Sequence, residues 1–122
     1  MTEEQIDQLR NKYLPLGIAW GVEFLLPPNV ALSLLPELAK MGVVVVGYDQ
    51  WQYVDQSKGL VMELLWYDGV GNDRVESVTA EEGVAIVEDL IVNHLPPDTE
   101  LVSFLYRDID ANDWFTGRRQ SD

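Results

Sequence analysis

Two runs rich in Val, Leu and aromatic residues, VVVVGYDQWQYV from position 43 and LVMELLWYD ending at position 68, flank the short polar loop DQSKG. Apolar strand-forming runs on either side of a polar loop with one glycine predict a β-hairpin with a longer loop. Pairing Val54 with Leu60 sets the register: Tyr48 faces Trp66, Gln50 faces Leu64, and Gln52 faces Met62. The other set pairs Gly47 with Tyr67, Asp49 with Leu65, Trp51 with Glu63 and Tyr53 with Val61. Successive strand side chains point to opposite sides, so these are two distinct faces. The even-numbered face (Val44, Val46, Tyr48, Leu60, Met62, Leu64, Trp66) is largely apolar and is the expected core face. The odd-numbered face mixes Asp49, Trp51, Tyr53, Glu63 and Tyr67 with Val43, Val45, Val61 and Leu65. It reads either as a partner-binding surface of aromatics ringed by acids or as a half-covered sheet with satisfied polar groups. A register slip of one residue would exchange the faces.

The rest of the chain supplies helices and one more strand. Ile6, Leu9 and Tyr13 recur at helical spacing after a Thr2/Gln5 capping box, and Pro15 stops that helix near Leu14. Residues 15–28 carry two glycines and three prolines and read as a buried irregular segment or a short strand. A second helix over residues 30–41, capped by Asn29, has Leu32, Leu35, Leu38 and Ala39 as its apolar stripe. Pro36 either kinks it or marks where the regular helix begins, and Gly42 ends it. Thr79 and Glu82 form a capping box for a third helix over residues 80–95, with Val84, Val87, Ile91 and Leu95 on one side. Residues 99–108 read as a third strand. Residues 116–122 read as a loose tail. The whole is expected to be one α+β domain, a small mixed sheet of hairpin plus third strand packed with about three helices. A helix between the hairpin and the third strand permits parallel pairing through a right-handed crossover.

Charge constrains function more than any motif does. Among 122 residues there are 21 acids against 8 Lys and Arg, a formal net charge of −13. Such a field repels nucleic-acid phosphate and anionic lipid and steers basic proteins inward. A basic protein is the expected partner, with no nucleic acid and no membrane. There is no cysteine, hence no disulfide or thiolate metal site. The acidic N-terminal residues are unlike a signal peptide, and no long apolar run is present, so a cytoplasmic location is expected.

Signatures of chemistry are weak. His94, the single histidine, falls at the end of the third helix, where a packed or capping role is ordinary. Asp108, Asp110 and Asn112 match the first ligand positions of a calcium loop, but Asp113 replaces the required glycine and Arg119 the closing glutamate. Gly69-Val70-Gly71 lacks the lysine of a phosphate loop. Asp49 and Glu63 would lie within about 7–8 Å as diagonal cross-strand neighbours, the best placed pair for acid–base work. Neither a cofactor nor a metal is expected.

The stretch Leu14-Pro15-Leu16-Gly17, the apolar helix ending in Gly42, and the apolar strand into Gly47-Tyr48-Asp49-Gln50-Trp51 resemble the immunity protein forty family of bacterial polymorphic toxin systems. The resemblance covers roughly residues 14–53. It implies a cytoplasmic, non-enzymatic protein that neutralises a cognate toxin by stoichiometric binding. Contact residues under that reading come from the odd-numbered face: Asp49, Trp51, Tyr53, Glu63 and Tyr67. The alternatives are a small ligand-binding or hydrolytic domain using Asp49, Glu63 or His94, and a homodimer or larger homo-oligomer formed through the odd-numbered face.

Overall fold

The computed structural model describes residues 3–20, 23–71 and 73–107, with the side chains of residues 3, 6 and 65–68 outside the description. The Thr2 cap, the Asp108-Asp110-Asn112 run and the tail therefore lie outside the described residues. The elements run α1 (Glu3–Tyr13), β1 (Ile18–Trp20), β2 (Glu23–Leu25), α2 (Pro28–Lys40), β3 (Val45–Asp55), β4 (Leu60–Gly69), α3 (Ala80–His94) and β5 (Leu101–Tyr106). This is an α+β fold. Among the described residues no helix is long and apolar enough to cross a membrane.

Local chemistry explains the helices. In α2, Pro28 occupies the first helical position, where its missing N–H costs nothing. Pro36 sits inside the helix without dividing it, and its own side chain faces outward. Ala31, Leu34, Leu35 and Leu38 are buried, so Leu34 replaces the expected Leu32 at the centre of the stripe. Gly42, at φ 79°, takes the left-handed turn that closes the helix. The amide of Gly42 donates to Ala39 and that of Val43 to Leu38, which satisfies two terminal carbonyls. In α3, Thr79 Oγ1 accepts from the Glu82 amide at 3.1 Å and the Glu82 carboxylate accepts from the Thr79 amide at 2.9 Å. The predicted capping box is therefore formed.

The main sheet has the order β4-β3-β5 and is antiparallel throughout. This corrects the mixed sheet with a parallel third strand. The helix-bearing connection from β4 to β5 carries the chain across β3, so β4 and β5 run in the same direction but lie on either side of β3 instead of pairing with each other. The segment at 15–28 is also more regular than expected. After a short 3₁₀ turn at Leu14–Leu16, β1 and β2 form their own hairpin, with Ile18 opposite Leu25 and Trp20 opposite Glu23. Leu26 then bridges to the outer edge of β5 through two backbone hydrogen bonds with Val102, of 2.9 and 2.8 Å. Gly17 is required there, because a Cβ would collide with the Leu25 carbonyl oxygen.

The register explains which predicted faces survive. Trp51–Glu63, Gln52–Met62 and Tyr53–Val61 pair as expected, but the expected Val54–Leu60 pair is corrected: an irregularity between Tyr53 and Asp55 leaves Val54 out and pairs Leu60 with Asp55. Beyond an irregularity between Asp49 and Trp51 the register moves, so that Asp49 pairs with Tyr67 and Tyr48 with Asp68. A further irregularity, between Val45 and Gly47 on the β5 side, turns Val45 to the helix-covered side along with Tyr48. That core joins Leu9, Tyr13, α2, Val87, Ile91, Val102 and Phe104. Val46 instead packs with Val70 and Val78. The expected core face is corrected at its far end: Leu60 is 42% and Met62 45% exposed, because the hairpin outruns the helices that cover Tyr48.

Candidate functional site

The opposite face of the sheet is where the sequence places its candidate contacts, and the structure divides them. Trp51 is only 6% exposed and packs with Leu25, Val61 and Leu101, flanked by Ile18 and Tyr53. Its indole Nε1 donates to Ser103 Oγ at 3.0 Å. An open aromatic surface is thus corrected at Trp51: the β1–β2 hairpin delivers Leu25 against it, and its polar edge is satisfied internally. Tyr53 is half-buried at the margin of the same cluster, and its amide donates to the Glu100 carboxylate at 3.0 Å. The backbone of Tyr67 pairs with Asp49, while its side chain lies outside the description.

Three carboxylates converge beside this aromatic cluster from three strands: Glu23 of β2, Asp49 of β3 and Glu63 of β4. Asp49 is pushed up from an ordinary 3.8 to about 6, first by burial, then by the charges of Glu63 and Glu23, with the neighbouring Glu63 side chain acting in the same direction. Burial also raises Glu23, with Glu63 adding to the effect and the Ser103 hydroxyl opposing it. Ser103, only 1% exposed, therefore links the Trp51 indole to the Glu23 carboxylate. Among the described residues no lysine or arginine pairs with any of the three; the resolved ion pairs, such as Lys58–Asp55 and Lys12–Glu37, lie elsewhere. One oxygen of Glu23 is buried with no hydrogen-bond partner among the described residues.

The sequence reading found Asp49 and Glu63 but missed Glu23 and Ser103. Glu23 sits in the segment read as irregular, and no periodic signal ties it to the hairpin. Ser103 lies within the segment read as a third strand, but nothing in its spacing announces a bond to Trp51.

Catalytic and metal readings gain little from this geometry. His94 is exposed at the end of α3, 3.8 Å from Asp89 on its own helix, and makes no contact with the carboxylate trio. The shallow depression on α3, lined by Ala85, Glu88, Asp89, Val92 and Asn93, contains none of the three carboxylates. Among the described residues no group of three His, Asp or Glu is arranged to hold a metal ion. Comparison with protein-family models, with curated proteins and with solved structures gives no significant match.

Proposed function

We propose that this chain is an acidic protein-binding module, a stoichiometric inhibitor of the immunity type that takes a cognate basic protein on the Glu23–Asp49–Glu63 face. The observation that carries the reading is the uncompensated trio. Three acids drawn together, with no described cation among them, raise the proton affinity of Asp49 and Glu23 and cost stability. A cation supplied by a partner would turn that cost into attraction. The net charge of −13 supports the same reading at long range, since it accelerates encounter with a basic protein. The resemblance of residues 14–53 to the immunity protein forty family supports the inhibitory role and, with it, a bacterial and cytoplasmic setting.

The contact set follows from exposure. Glu63 is exposed, Asp49 and Tyr53 are half-buried, and these are the contacts on this face. Trp51 and Ser103 hold the platform from below.

Affinity capture from the native host with the wild-type chain and with an Asp49→Lys/Glu63→Lys variant tests the reading. The wild type should retain a basic protein at one-to-one stoichiometry, with binding that weakens as salt rises. Co-expression should relieve that protein's toxicity. Equal capture by the variant, or a captured partner that is acidic or harmless, would contradict it.

A further inference from the structure

The strand next to the trio has an unused side. In the main sheet β3 is central, and the outer edge of β5 is met by Leu26. Among the described residues β4 has β3 as its sole hydrogen-bonded neighbour, which leaves an edge strand of 10 residues. An open edge offers unpaired N–H and C=O groups, a ready template for one more strand.

The two faces of this edge differ in kind over residues 60–63. On the helix side, Leu60 and Met62 stand 42% and 45% exposed, with Val54 of β3 beside them at 62%. On the other side, Val61 is buried against Trp51, and Glu63 lies in the trio with Asp49. Side chains of an added strand alternate between these faces. Every second residue would therefore lie over Val54, Leu60 and Met62, and the residues between would point toward Glu63 and Asp49.

We propose that the outer edge of β4 at residues 60–63 accepts an extended segment of a basic partner as an added strand, one in which apolar and basic residues alternate. The apolar positions cover the three exposed side chains, and the basic positions supply the cation that the trio lacks. This inference rests on the protein-binding reading above and specifies its mode. A second copy of the chain is the poorer occupant. Antiparallel pairing of β4 with itself would bring two Glu63 side chains together and join two molecules of net charge −13 each. A charge on an edge strand blocks self-pairing in just this way. The same charge invites a partner of opposite sign.

The test uses the full chain and a short synthetic peptide alternating lysine and valine, with a control peptide of the same sequence N-methylated on alternate residues. The control keeps every charge and loses strand donors. Backbone amide NMR should show perturbation centred on residues 60–63. The control should bind at least about tenfold more weakly, since several backbone hydrogen bonds are lost. Met62→Lys, at an exposed position that leaves the core intact, should weaken the unmethylated peptide similarly. Equal binding of both peptides would overturn strand addition while leaving the acidic docking face in place. Binding of neither peptide at low salt would remove both ideas. Perturbation confined to another edge would also overturn the proposal. So would a dimer, detected by light scattering, that Met62→Lys dissolves.

Discussion

Trp51 and Asp49 are two residues apart on one strand face and have opposite fates. Trp51 is interior, with its indole hydrogen bonded to Ser103. Trp51→Ala should cost about 3–5 kcal/mol, and Ser103→Ala, which strands the buried indole N–H, about 1–3 kcal/mol, both read by denaturant unfolding. Asp49 holds its proton to higher pH in the folded chain, about 6 against 3.8. The stabilisation tied to its protonated form is complete below about 3.8 and is lost as pH rises through about 6. Asp49→Asn should therefore change stability little at acid pH and raise it at neutral pH. With screening at this part-exposed position the gain is on the order of 1 kcal/mol. Unfolding curves across that range check the sign, and a variant less stable than the wild type at neutral pH would contradict it.

At the scale of elements, α3 meets β3 with no room for a side chain at their junction. Gly83 is buried, and a Cβ there would collide with the Val45 carbonyl oxygen. Gly83→Ala should push the helix off the sheet and cost about 1–3 kcal/mol by thermal or denaturant unfolding. Thr79→Ala removes the cap of the same helix and should cost about 1 kcal/mol. That cap was legible in the sequence because the Thr79/Glu82 spacing encodes its own hydrogen bonds. Gly42 was legible for a similar reason, as the left-handed turn after a helix favours glycine. The pairing of Trp51, Gln52 and Tyr53 with Glu63, Met62 and Val61 followed from alternation alone, but the irregularity beside the loop, which gives Leu60 to Asp55, did not. The β1–β2 hairpin was not legible, since its strands are too short for a period to emerge between the prolines and glycines of residues 15–28. The register change past Asp49 was hidden as well. An irregularity in pairing leaves no mark on an apolar run in which both faces are rich in Val and Leu. Alternation also does not show how far the helices reach or what covers the other face: Leu60 and Met62 were expected inside and are found outside, while Trp51 was expected outside and is found inside under Leu25.

For the whole molecule the governing quantity is charge. A net −13 on 122 residues loads the folded state with self-repulsion that salt screens. Added salt at neutral pH should raise the unfolding temperature of the free chain while weakening its hold on a basic partner. The two effects of opposite sign separate self-repulsion from recognition. The direct test of recognition is at Asp49 itself. Its carboxyl carbon can be followed by NMR titration in the free chain and in the complex with the captured basic partner. If the trio receives a cation from that partner, the titration midpoint falls from about 6 toward the ordinary 3.8. A midpoint that stays where it is, with the partner bound, would place recognition elsewhere and contradict the account.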